Sequence, residues 1–146
     1  MKKAGDVACA CATARQVART LTQVYDRALR ASGLEAAQFA LLITIEKLGP
    51  CSQAALGEPH ALDKTTVSRN VRWLVDQGWI KVSPGSDRRS RRISLTLDGR
   101  RRLAAAKPKW QRAQEALRAE MTAADWGAMF AAFKTAAEAA DRVKSR

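Results

Sequence analysis

The sequence predicts a mainly α-helical chain with one small β-hairpin. Three observations carry this: alanine-rich helical periodicity at both ends, a capped helix beginning at Asp63, and two short alternating runs that flank an arginine loop. Apolar residues recurring every three or four positions mark one face of a helix, whereas strict alternation marks a strand. At 146 residues the chain is one domain, with or without extensions. That length buries roughly 68–70% of the unfolded surface, so a core can form without staples.

Taken in order, residues from about Val7 to Ala31 read as one helix, with Val7, Ala10, Ala14, Val17, Leu21, Val24 and Ala28 spaced as an interhelical seam. Ser32-Gly33 ends it, because glycine accepts the left-handed cap. Ala36 to Leu48 is apolar almost all round and reads as a core helix, stopped by Gly49-Pro50. Ser52 is placed to cap a short helix through Ala54, Ala55 and Leu56. The poor helix formers Gly57-Glu58-Pro59-His60 should shorten or loosen the turn that follows.

Asp63 can accept from the backbone amides of Thr65 or Thr66 and so cap the next helix, which Gly78 ends. Ile80-Lys81-Val82 and Ile93-Ser94-Leu95 then form the hairpin. Thr96 caps a long C-terminal segment with Asp98 in its first turn, and Pro108 should kink or interrupt that helix. A second seam runs through Leu103, Ala106, Trp110, Ala113 and Leu117, and a third through Trp126, Met129, Phe133, Ala137 and Ala140. Thr122 and Asp125 stand at capping-box spacing between them. These seams either bury one another within a monomer or build a two-fold dimer.

Charge narrows the function. The chain carries 26 Lys and Arg against 14 Asp and Glu, a net +12, with a pI near 10.5. Residues 63–102 hold eleven basic and four acidic residues, which puts +7 into this stretch. Such clustering implies a polyanionic partner such as double-stranded DNA, against the plainer reading of a solvated basic surface.

On the helix after Asp63, Val67, Val71 and Leu74 share one face while Thr65, Arg69 and Arg72 lie opposite, with Lys64 and Ser68 on the flanks. Arg69 or Arg72 can donate two hydrogen bonds to a guanine edge, and Thr65, Thr66 and Ser68 can serve phosphates, base edges or a thymine methyl. Ser52, at the cap of the preceding short helix, is a further DNA-binding candidate. The hairpin loop reads Ser86-Asp87-Arg88-Arg89-Ser90-Arg91-Arg92. Asp87 is expected to hold a neighbouring guanidinium, while Arg88, Arg89, Arg91 and Arg92 follow phosphates or enter a narrow minor groove.

These motifs together resemble those of a known family. Leu62-Asp63-Lys64-Thr65-Thr66-Val67-Ser68-Arg69, then Leu74-Val75-Asp76-Gln77-Gly78-Trp79-Ile80, then Asp87-Arg88-Arg89, then Ile93-Ser94-Leu95-Thr96-Leu97-Asp98-Gly99 resemble the multiple antibiotic resistance regulator (MarR) family in order and spacing. The resemblance implies a winged helix-turn-helix core at 35–99, with residues 1–34 and 100–146 as N- and C-terminal dimerisation helices. It implies a homodimer in which Asp63 to Gln77 is the recognition helix and Asp87 with Arg89 form the wing pair. Val17, Leu21, Val24, Trp126, Phe133 and Ala137 are the candidate dimer-interface residues. The function expected is a sequence-specific regulator acting as a repressor on a pseudo-palindromic operator, released by an unidentified small-molecule or oxidant effector. The competing class is an architectural nucleic-acid-binding protein that reads charge and shape only.

The cysteines are the candidate input. Cys11 lies 27 residues before Gln38-Phe39, which looks like the spacing of the reactive cysteine in the organic-hydroperoxide-sensing branch of that family. That branch has a tyrosine one turn later where this chain has Arg15. A cation beside a cysteine favours the reactive thiolate, so Cys11 with Arg15 is the redox-sensing candidate, against an inert small residue in an alanine-rich helix.

No metal or other cofactor is expected. Cys9 and Cys11 point about 200° apart on a helix, and the one histidine, His60, reads as capping or packing. A single histidine and the lack of a glycine-rich phosphate loop or paired carboxylates argue against an enzyme. Met1-Lys2-Lys3-Ala4-Gly5-Asp6 does not resemble a signal peptide and no apolar run approaches a membrane span. A cytoplasmic protein with no membrane partner is expected, with Cys9, Cys11 and Cys51 reduced.

Overall fold

Alanine and other small or unbranched side chains lose little rotamer freedom in a helix, and the N-terminal run of them forms α1, Ala10–Leu29. The computed structural model describes residues 9–146, so Val7 and the stretch from Met1 to Asp6 lie outside the described residues. Cys9 precedes the helix, and its carbonyl accepts from the Thr13 N–H at 3.0 Å. A 3-10 turn, Arg30–Ser32, closes α1 onto Gly33 at φ 69°, a left-handed conformation that glycine reaches without a Cβ clash. Of the expected seam on α1, Val17, Leu21 and Ala28 are half-covered and Val24 is exposed.

The second helix, α2, spans Ala36–Leu48. Its Ala36 N–H donates to Asp26 Oδ1 at 2.7 Å, so a carboxylate ten residues upstream caps it. Phe39, Leu41, Leu42 and Ile45 are buried, but Leu48 remains 50% exposed, so α2 is not apolar-covered all round. Gly49, also at φ 69°, stops it.

Helix α3 has only five residues, Gln53–Gly57, and continues as a 3-10 turn over Glu58–His60. The turn is short, as the sequence suggests. It is not loose, because a Cβ at buried Gly57 would stand 2.6 Å from Val67 Cγ2. Glycine there lets α3 settle onto α4, Lys64–Asp76. The apolar face of α4, Val67, Val71 and Leu74, joins Leu42, Ile45 and Leu56 in one core cluster.

Strands β1, Ile80–Pro84, and β2, Arg91–Leu95, pair antiparallel with Ile80 opposite Leu95 and Pro84 opposite Arg91. Each runs two residues further towards the tip than the alternation alone predicts. Cys51 adds an unanticipated third edge: its N–H donates to Ile93 O at 3.0 Å and its carbonyl accepts from Ile93 N–H at 2.7 Å. The root of β2 therefore has backbone partners on both sides.

Thr96 opens α5, Leu97–Ala119, its Oγ1 accepting from Gly99 N–H at 3.0 Å and donating to Gly78 O at 2.6 Å. The helix runs on through Pro108 and is not interrupted there. Proline removes a single intrahelical bond. Helix α6, Ala123–Lys144, begins beneath Thr122, whose Oγ1 accepts from Asp125 N–H at 3.0 Å.

The chain divides into two compact units, one through Trp110 and one from Gln111. In the first, Phe39 stacks on Trp110 at 5.8 Å and Lys107 reaches Glu46 at 2.7 Å. In the second, Trp126 meets Phe130 edge-on at 5.2 Å, while Phe130 and Phe133 stay 50% and 45% exposed. Among the described residues no single helix is long and apolar enough to cross a membrane.

Candidate nucleic-acid interface

The N-terminus of α4 is fixed by one carboxylate. Asp63 Oδ1 accepts from Thr66 N–H at 2.8 Å and Oδ2 accepts from Thr66 Oγ1 at 3.0 Å. The backbone amide and then the hydroxyl of Thr66 hold the Asp63 carboxyl below the usual carboxylate range. Thr66 thus spends its hydroxyl proton on the cap, leaving an acceptor lone pair for any outside partner.

Because Val67, Val71 and Leu74 face the core, the helical period turns Lys64, Thr65, Arg69 and Arg72 to solvent, with Ser68 half-buried at the margin. An open groove of about 460 Å³ is lined by Gln53, Lys64, Thr65, Ser68, Arg69 and Arg72. Gln53 is the member that the sequence reading did not pick. Its signal was Ser52: Ser52 Oγ accepts from Ala55 N–H at 3.1 Å, which makes Gln53 the first residue of α3, beside the start of α4. A glutamine amide can bridge two atoms of an adenine edge.

The wing tip is organised differently from expectation. Asp87 Oδ1 accepts the backbone N–H groups of Arg89 and Ser90, each at 2.8 Å, and these bonds hold its carboxyl below the usual range. Ser90 Oγ accepts from Asp87 N–H at 3.2 Å, and Gly85 N–H donates to Ser90 O at 2.8 Å. Asp87 therefore shapes the turn and, among the described residues, makes no ion pair with a guanidinium. A short acidic side chain two residues before free amides bonds backbone more readily than it reaches a long, mobile arginine. Arg88, Arg89, Arg91 and Arg92 are all exposed. Of the ion pairs formed among the described residues, none uses an arginine of α4 or of the wing.

The remaining candidates fall elsewhere. Cys9 and Cys11 are exposed at the start of α1, and Arg15 is exposed one turn on. Cys51 is buried beneath β2, where burial pushes its thiol up and Arg92 works the other way. His60 Nε2 lies 2.9 Å from Thr44 Oγ1, which itself donates to Ala40 O at 3.0 Å. With that hydroxyl proton committed, the imidazole Nε2–H is the donor to Thr44. Burial lowers the His60 pKa. Among the described residues no three His, Cys, Asp or Glu side chains group to hold a metal ion. Of the candidate dimer residues, Val17, Leu21 and Trp126 are half-covered, whereas Val24, Phe133 and Ala137 are exposed.

Known proteins share this fold. A model of the MarR family matches residues 34–90, which holds α2 to α4 and the hairpin as far as its tip. The Mycobacterium tuberculosis transcriptional regulator MosR, solved in complex with DNA, is 36% identical, with a TM-score of 0.79 over 91% of this chain and 98% of that one. The Bacillus subtilis HTH-type transcriptional regulator YwoH is 25% identical over 105 residues, 72% of this chain and 77% of its own. The Streptomyces coelicolor regulator PcaV, solved with its natural ligand, shares the fold at a TM-score of 0.84 and 20% identity, over 96% of this chain and 99% of that one. With a winged helix-turn-helix between long terminal helices, and a relative of this identity matched along nearly its whole length, the chain belongs to the MarR family.

Proposed function

We propose that the protein is a sequence-specific DNA-binding transcriptional regulator that represses from a pseudo-palindromic operator as a homodimer, α4 in the major groove and the wing in the minor groove. The observation that carries this is the exposed face of α4, where Lys64, Thr65, Arg69 and Arg72 line one groove with Gln53 and, among the described residues, neither Arg69 nor Arg72 forms an ion pair. Exposed cations on a rigid helix suit base edges and phosphates. Residues 35–99 are the reading unit, and 1–34 with 100–146 supply the dimer contacts. Regulation, not catalysis, is the activity, in a cytoplasmic setting with no cofactor.

The test is a titration against a palindromic site, chosen by selection from random duplexes, and against its scrambled counterpart at equal salt. The selected site binds at least about 10³-fold tighter, and with about 6–10 phosphate contacts its affinity falls about 10³–10⁵-fold between about 50 and 200 mM salt. Equal affinity for both duplexes makes the protein an architectural binder.

Release follows from a small-molecule or oxidative signal, with Cys11 beside Arg15 as the oxidisable group. Organic hydroperoxide then lowers operator affinity of the wild type and spares Cys11→Ser, while Cys9→Ser behaves as wild type. Equal loss in Cys11→Ser removes Cys11 as the oxidisable group and makes a small molecule the default signal.

A further inference from the structure

A second basic site lies away from the groove of α4. Arg102 Nη1 donates to Ser32 O at 2.9 Å, and Lys109 Nζ donates to Ser32 Oγ at 2.9 Å. Two cations seven residues apart on α5, on one face of that helix, thus converge on a single serine that is 3% exposed. Ser32 offers only neutral acceptors, and neither cation has a carboxylate partner among the described residues.

The two cations border an open recess of about 540 Å³ whose lining also includes Arg101, Asp98, Gln77 and Trp79. Asp98 is the one acid in that lining and stands 3.8 Å from Arg101, which leaves a net +2 facing the space. The Arg102 guanidinium also lies 4.9 Å from the Trp79 ring centroid. That contact fixes the plane of the guanidinium fork and occupies the indole face. Like charges gathered on a half-buried surface repel one another unless an anion joins them.

The geometry points to a binding site for an oxyanion, a carboxylate, sulfate or phosphate group, held between Arg101, Arg102 and Lys109. Charge-assisted bonds from a guanidinium fork and an ammonium suit such a group. The recess lacks a free aromatic face, so charge and not stacking selects its occupant. Two sources carry this chemistry: a small free anion, or a phosphate of bound DNA.

The test uses the full-length protein without DNA, so its outcome is independent of whether the chain reads an operator. Sodium sulfate and sodium benzoate are titrated against chloride at matched ionic strength, with amide chemical shifts as the readout. Saturable shifts at Ser32 and Lys109 are expected, with affinity at least tenfold weaker in Lys109→Gln and retained in Lys109→Arg. Arg101→Gln, which alters an exposed side chain, gives the same loss and serves should Lys109→Gln fold poorly. No saturable shift in the wild type, or equal affinity in Lys109→Gln and Arg101→Gln, overturns the site. With saturable binding in hand, the DNA affinity of Lys109→Gln separates the sources: a drop assigns the anion to the DNA backbone, and no change assigns it to a free molecule.

Discussion

At the scale of single residues, the reading surface depends on one absent side chain. Gly57 is where α3 closes onto Val67, and a Cβ there would meet Val67 Cγ2 at 2.6 Å. Gly57→Ala is expected to destabilise the protein by about 1–3 kcal/mol through overpacking. Val67→Ala in the same chain should recover part of that loss, read as non-additivity in urea unfolding. Arg69→Ala and Arg72→Ala touch no core contact, so stability should hold while discrimination at one base pair falls by about 1–3 kcal/mol. Binding to single-base operator variants checks this, and a uniform loss on every sequence would remove base readout from α4. His60 gives a pH signature. Burial lowers its pKa in the fold, so the unfolded chain binds the extra proton first as pH falls through the ordinary value near about 6.5. Stability is therefore full above that value and declines below it. His60→Gln should flatten this stretch of the pH–stability curve.

At the scale of elements, the wing is a turn built by an acid and tipped with bases. If Asp87 acts through backbone bonds, Asp87→Asn keeps an acceptor at Oδ1 and retains DNA affinity, whereas Asp87→Ala loosens the tip and lowers it. Equal loss in both would instead mean that the negative charge itself matters, as a guanidinium clamp requires. Fluorescence anisotropy with one duplex separates the two. The elements themselves were largely legible beforehand, because caps are local chemistry: Ser52, Asp63, Thr96 and Thr122 all accept the amides that their spacing implies. What escaped was long-range. The Asp26 carboxylate capping α2, the Cys51 bridge to Ile93, and the place of Gln53 in the groove depend on residues brought together by folding. Helical spacing sorted the exposed face of α4 from its buried face. It could not foresee that the Thr66 hydroxyl would turn inward to Asp63.

At the scale of the whole molecule, the apolar surface left over is the informative quantity. Phe130 at 50%, Phe133 at 45% and Val143 at 69% exposure on α6, with Val24 at 38% on α1, leave large side chains in water at both ends of the sequence. Scattered apolar residues on a surface are ordinary, but Phe130 and Phe133, three positions apart on α6, make an adjacent exposed aromatic pair that a partner can cover. Deleting everything after Met121 should therefore yield monomers or aggregates with weakened DNA binding, measured by light scattering coupled to size exclusion. A well-behaved truncated dimer of full affinity would place the contacts elsewhere. The fold class and the exposed basic face of α4 were evident from the sequence, whereas the choice between a self-covering bundle and a two-fold assembly was not, since either satisfies the same spacing.

The Thr96 side chain has a mechanical meaning. One hydroxyl joins Gly78, just past the end of α4, to Gly99 in the first turn of α5, while Thr96 N–H donates to Trp79 O at 3.0 Å. The Trp79 carbonyl sits so close to Gly99 that no Cβ fits between them. A joint with this many short constraints does not act as a hinge. With α4, the wing root and the opening turns of α5 tied at one joint, a small rotation of α5 there is expected to carry the exposed arginines of α4 with it.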